Sequence, residues 1–233
     1  MEEVKFDEKK FIEFLVKRDC IGFYEEPVKL SSGQESSWYV NLRILQENFV
    51  RLDDFANFIK DFLVSRKLNG YPLVGVPESA TLPAIKVNEK LGFEEFILLR
   101  SQLKSHGVSG KFPYSLSPVD ISGKTFNLLE DTATTGDSVI TTALHLYEGG
   151  AKVNSIIVVC YREDRRWGGT FPENYIIGYM GVPVYCMSRA RNILPIAIEE
   201  LKPSKKVIES LMKEYRGHVD IYSFLYDYYQ NSF

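Results

Sequence analysis

The segment Phe126–Leu146, FNLLEDTATTGDSVITTALHL, decides the reading of the chain. An apolar run ends in two acids, Glu130 and Asp131. Small and hydroxyl residues follow, then Gly136, then an amphipathic stretch. The pattern predicts a strand over 125–130, a turn from Thr132 to Gly136 and a helix over 137–148 that stops at Gly149-Gly150. Free backbone N–H groups at a helix start, with the helix dipole, attract a phosphate. Thr134, Thr135 and Ser138 add hydroxyl donors, and Gly136 lets the backbone come close to a ligand. Carboxylates accept hydrogen bonds from sugar hydroxyls but repel phosphate. A sugar phosphate answers to both halves of the segment.

The flanking sequence repeats this alternation of apolar run and helix. YPLVGVP reads as a buried strand, and a helix from about Ala80 to Leu91 follows. EFILLR (95–100), VNSIIVVCYR (153–162) and GVPVYCM (181–187) read as further strands. Continuous apolar strands between helices predict an α/β fold with a mostly parallel sheet flanked by helices. Ligands bind such sheets past the carboxyl ends of the strands. Near the N-terminus Asp7 caps a predicted first helix with an apolar face at Phe11, Ile12, Phe14 and Leu15. A second helix carries Leu52, Phe55, Ile59, Phe62 and Leu63. Residues 101–123 are polar and broken by glycine and proline, which predicts a long functional loop.

Composition excludes several classes. Across 233 residues the net charge is -3, so there is no basic footprint for nucleic acid. No apolar run has the length of a membrane span. The start, MEEVKFDEKK, lacks the apolar core of a signal peptide. Cys20, Cys160 and Cys186 show no metal-site spacing, and a cytoplasmic location is expected.

LLEDTATTGDS resembles the phosphoribosyl-pyrophosphate (PRPP) motif of type I phosphoribosyltransferases, at Leu128, Leu129, Glu130, Asp131, Thr134, Thr135, Gly136 and Ser138. The resemblance implies that the acids hold ribose hydroxyls and that residues Thr132, Ala133, Thr134, Thr135, Gly136, Asp137 and Ser138 surround the 5-phosphate. Asp137 stands where the family has a small neutral residue; it suits a helix N-cap but adds negative charge.

LLRSQLKSHGVSGKF (98–112) is similar to the catalytic loop of the orotate member of that family, with Arg100, Lys104, His106 and Gly107 in register and Ser101 in a usual lysine place. The resemblance implies catalytic roles for Arg100, Lys104, His106 and Asp131. The first two would neutralise leaving pyrophosphate and His106 would donate a hydrogen bond or proton. It also implies that the loop serves the neighbouring subunit of a homodimer.

CYREDRRW (160–167) resembles the family's segment after the same strand, which implies that Arg162 contacts the orotate carboxylate, a task suited to a guanidinium fork. Thr134 is implied as a second orotate contact. LVGVPESATLPAIKV (73–87) resembles the pyrophosphate-binding turn, with Ala80 in a usual lysine place. KLSSGQESSWYVNLR (29–43) resembles the N-terminal hood strand. There Ser31 stands in the place of the orotate-contacting lysine, and Lys29, two residues away on the same strand face, is the expected substitute.

The expected organisation is one phosphoribosyltransferase domain over 1–200, hood included, and a C-terminal helical extension over 201–233. The expected activity is transfer of phosphoribose from PRPP to orotate, giving orotidine 5'-monophosphate. Mg²⁺ would be bound mainly through PRPP, with no protein metal site. Ser31, Ala80 and Ser101 leave open a different nucleobase or a non-catalytic PRPP-binding regulator.

Overall fold

The computed structural model describes residues 4–30, 32–101, 112–116, 119–163 and 172–233. Helix α1 (Glu8–Lys17) starts where Asp7 accepts the Lys10 N–H at 3.0 Å. Strands β1 (Ile21–Lys29) and β2 (Glu35–Val40) pair antiparallel as a two-stranded ribbon. A 3₁₀ turn (Leu42–Leu45) leads into α2 (Phe49–Ser65). Then come β3 (Leu73–Gly75), α3 (Thr81–Leu91), β4 (Thr125–Ala133), α4 (Asp137–Glu148), β5 (Lys152–Tyr161), α5 (Pro172–Met180) and β6 (Val184–Arg189). Three helices close the chain: α6 (Ala190–Leu201), α7 (Lys205–Glu214) and α8 (Val219–Ser232).

Strands β3-β4-β5-β6 form one parallel sheet in that order. Its central strands are buried on both faces, which is why Leu128 and Leu129 in β4 and Ile156 to Cys160 in β5 are apolar at successive positions. Leu129, Ile157 and Val159 enter the cluster formed with α1, α2, α6, α7 and α8. Leu128, Ile156 and Val158 face the opposite cluster, built on α4. A side-chain period of two sends neighbours to opposite layers.

Three expectations are corrected. EFILLR is not a strand of the sheet. It makes one isolated antiparallel bridge, Leu99 with Ser115. Arg100 N–H donates to the Tyr114 carbonyl at 2.7 Å, and Leu116 N–H to Leu98 at 2.8 Å. Burial of Ile97 and Leu99 accounts for the apolar residues without a sheet ladder. Second, β4 runs on to Ala133, because Thr132 and Ala133 stay in register with Cys160 and Tyr161. The turn is therefore shorter than the run from Thr132 to Gly136. Third, the helix cap of α4 is Gly136 at φ 79°, with Asp137 as the first helical residue.

Strand β1 has no counterpart in the sequence reading. Its residues Tyr24 to Pro27 are exposed, so it lacks the apolar run that marks the inner strands. The last two helices pack on the body of the same chain. Ile208, Leu211, Tyr215, Ile221 and Leu225 are buried in the cluster that holds Trp38.

Candidate active site

The acids stand at the carboxyl end of β4, the central strand whose exit is flanked by the exits of β3 and β5. A cavity of about 420 Å³ opens there. Its walls include Glu130, Asp131, Thr132, Ala133, Thr134, Thr135, Gly136, Asp137 and Ser138. Lys29, Tyr39 and Asn41 come from the ribbon and the segment after it, Glu78 and Ser79 from the turn after β3, and Arg162 from the end of β5. Strands distant in sequence thus converge on one opening.

Backbone amides fix both acids. Asp131 N–H donates to Glu130 Oε1 at 3.2 Å, and Thr132 N–H donates to Asp131 Oδ1 at 2.7 Å. Glu130 is only 6% exposed. Burial, then the neighbouring Asp131 charge and a hydrogen bond between the two carboxyl groups, push Glu130 well above the usual carboxylate range. The pair thereby sheds negative charge beside a loop shaped for an anion.

A raised acid makes the fold less stable as pH rises. The native state keeps a proton that the unfolded chain gives up above the ordinary carboxylate value, so stability falls with pH from there upward. Glu130→Gln is expected to remove that slope and to add about 1–3 kcal/mol at pH 8, with little change near pH 4. Urea titrations of both proteins at several pH values measure it; parallel curves refute it.

Beyond the acids, Gly136 turns the chain in the left-handed region, and the α4 amides begin. Asp137 is exposed in the cavity wall, where its Oδ2 accepts the Thr135 hydroxyl at 2.8 Å. Thr132 Oγ1 is buried with no hydrogen-bond partner, beside the cavity. An unpartnered hydroxyl is costly unless a ligand or water completes it.

The turn after β3 is held from another direction. Arg43 Nε donates to Ser79 Oγ at 2.8 Å, and Gln46 Nε2 donates to the Ser79 carbonyl at 2.5 Å. Arg43 therefore brings a positive charge to the turn in which Ala80 occupies the lysine place. Sequence reading missed it, because nothing local joins residue 43 to residue 79. Gly75 permits the turn's close return: a Cβ there would collide with the backbone of Ala80 and Thr81.

Arg162 lies in the cavity wall yet is only 1% exposed. Its guanidinium stacks 4.3 Å from the Trp38 ring. Nη1 donates to the Trp38 carbonyl at 3.2 Å, and Nη2 to Ser36 Oγ at 2.9 Å and to Glu214 at 2.8 Å. The fully buried Trp38 packs beneath the ribbon, whereas Tyr39 reaches the cavity. Arg100 is not in this wall; its Nε donates to the Ser115 carbonyl at 3.3 Å. Lys104, His106 and Ser31 lie outside the described residues. Among the described residues no group of three or more His, Cys, Asp or Glu side chains is placed to hold a metal ion. None of the described helices is long and apolar enough to cross a membrane.

The chain is 32% identical over 157 residues to the orotate phosphoribosyltransferase of Pyrococcus abyssi, spanning 67% of this chain and 82% of that one. The chain belongs to the orotate phosphoribosyltransferase family. The family's Sulfolobus acidocaldarius member is 27% identical over 189 residues, covering 78% of this chain and 87% of its own. The Aeropyrum pernix orotate phosphoribosyltransferase superposes with a TM-score of 0.58 at 20% identity, over 82% of this chain and 99% of that one, and so shares the fold. No protein-family model matches the chain. As the phosphoribosyltransferase resemblance implied, the enzyme is an α/β protein with a mostly parallel sheet.

Proposed function

We propose that the protein transfers the 5-phosphoribosyl group of PRPP to orotate, giving orotidine 5'-monophosphate and pyrophosphate. The observation that carries this reading is the pair Glu130 and Asp131 standing next to the Gly136 turn and the first amides of α4. The acids accept the ribose 2- and 3-hydroxyls. The turn amides and the hydroxyls of Thr134, Thr135 and Ser138 bind the 5-phosphate. In the reaction the bond from C1 to the pyrophosphate oxygen breaks, and its electron pair leaves on pyrophosphate. The base nitrogen bonds C1 and gives up its proton.

The residues that face the diphosphate are the backbone of the Pro77–Ser79 turn and Arg43, whose charge replaces the lysine that the family places at Ala80. Arg100, Lys104 and His106 supply the remaining donors from the loop of the neighbouring subunit of a homodimer. Mg²⁺, brought in with PRPP, would supply charge neutralisation at the diphosphate, while Glu130 and Asp131 orient the sugar. The donor set fits that arrangement: two carboxylates stand at the sugar end of the cavity. The carboxylate of orotate is directed to Arg162, with Thr134 and Lys29 beside the ring. A reducing cytoplasm suits the free thiols of Cys20, Cys160 and Cys186.

The test is direct. Purified protein with PRPP, Mg²⁺ and orotate is expected to consume orotate, followed by its absorbance, and to release pyrophosphate in equal amount. No turnover across a range of pH and temperature rejects the reading.

A further inference from the structure

The C-terminal helices deliver a counter-charge to the arginine of the base site. Glu214, the last residue of α7, sets Oε1 2.8 Å from Arg162 Nη2 and is itself 16% exposed. Ser36 Oγ lies 3.0 and 2.9 Å from the two carboxylate oxygens of Glu214 and locks them in place. The next residue, Tyr215, donates its hydroxyl to the Arg162 carbonyl at 3.0 Å and accepts Trp38 Nε1 at 3.0 Å. Glu214 lines a second cavity and not the active-site one, whereas Arg162 is in the active-site wall. The guanidinium thus stands between an internal carboxylate and the opening where a base would sit.

We propose that Glu214 is a specificity-determining residue: by pairing with Arg162 from behind, it moderates the pull of that guanidinium on a carboxylate in the cavity, and so sets the preference for an anionic base over its uncharged counterpart. The inference rests on the base site proposed above. Arg162 stays charged at every working pH. Paired with Glu214 it presents a dipole to the cavity. Without the Glu214 carboxylate it would present more of its charge, at low dielectric, where Coulomb forces are strong. The stack on Trp38, the Trp38 carbonyl and Ser36 hold the guanidinium from other directions. A neutral residue at 214 therefore changes charge more than geometry.

Two nucleotides isolate the effect. Orotidine 5'-monophosphate and uridine 5'-monophosphate carry the same phosphoribose and differ only in the base carboxylate. Calorimetry gives the dissociation constants of both on wild type, Glu214→Gln and Glu214→Asp. The ratio of the uridine to the orotidine constant is expected to rise about tenfold in Glu214→Gln, a modest share of the coupling seen between close charge pairs. Glu214→Asp keeps the charge and is expected to keep the wild-type ratio. Glu214→Met, neutral and of similar length, is expected to follow Glu214→Gln and stands in for it if the glutamine protein does not fold. An unchanged or lowered ratio in the neutral variants, or the same shift in Glu214→Asp, overturns the proposal. The ratio needs no turnover, so a wild type that binds both nucleotides but leaves orotate unreacted with PRPP sinks the proposed activity alone. Binding of neither nucleotide sinks both.

Discussion

Replacing Arg162 with alanine is expected to cost the fold about 3 kcal/mol, the low end of the penalty for stripping one partner from a buried ion pair, because Glu214 is partly exposed. The guanidinium is fully enclosed, so its loss removes the cation that stands 2.8 Å from the Glu214 carboxylate. The damage also reaches the hood ribbon, because Arg162 ties the Trp38 carbonyl and the Ser36 hydroxyl to the end of β5. The charge argument makes a further demand. The double variant Arg162→Met with Glu214→Leu is expected to recover most of the lost stability, since apolar pairs of similar volume replace buried ion pairs at little cost. Chemical denaturation of the wild type, the single and the double variant decides it. A double variant as unstable as Arg162→Ala would show that shape at this site outweighs charge.

The second large effect concerns chemistry and not stability. The double variant Glu130→Ala, Asp131→Ala is expected to lower kcat/KM for PRPP by about 10²–10³-fold, from one charge-assisted hydrogen bond at Asp131 of about 1.5–3 kcal/mol and a neutral one at Glu130 of about 0.5–1.5 kcal/mol. Its thermal stability is expected to hold or rise, because Glu130 is a buried carboxyl whose ionisation works against the native state. Steady-state kinetics with PRPP varied at saturating base, beside a melting curve, separates the two readouts. Loss of activity that tracks loss of fold would remove the acids from the sugar site. Opposite movement of stability and activity is what a functional site produces when a group is held where water would otherwise keep it.

Much of this site is legible in sequence because its elements are local. An apolar run, two acids, hydroxyl residues and a glycine specify a strand, a turn and a helix start without help from the rest of the chain. Gly136 takes a positive φ that few other residues tolerate, so the turn announces itself. The central strands are equally plain, because burial on both faces demands apolar residues at successive positions. Elements at the margins read poorly. Strand β1 shows solvent along much of its length, and EFILLR is apolar for a reason other than sheet pairing: two of its residues fill a cluster beside α4.

By itself the sequence determined the parallel α/β core, the strand–turn–helix that carries Glu130 to Ser138, and the family to which the chain belongs. Tertiary structure alone decided the company that two arginines keep. Arg43 meets Ser79 across 36 residues, and Arg162 meets Glu214 across 52 and Ser36 across 126. Charges of this kind carry no period and no neighbouring signature. Their partners are chosen by which surfaces the apolar clusters press together, and in water, with the chain unfolded, the same side chains would scarcely sense one another.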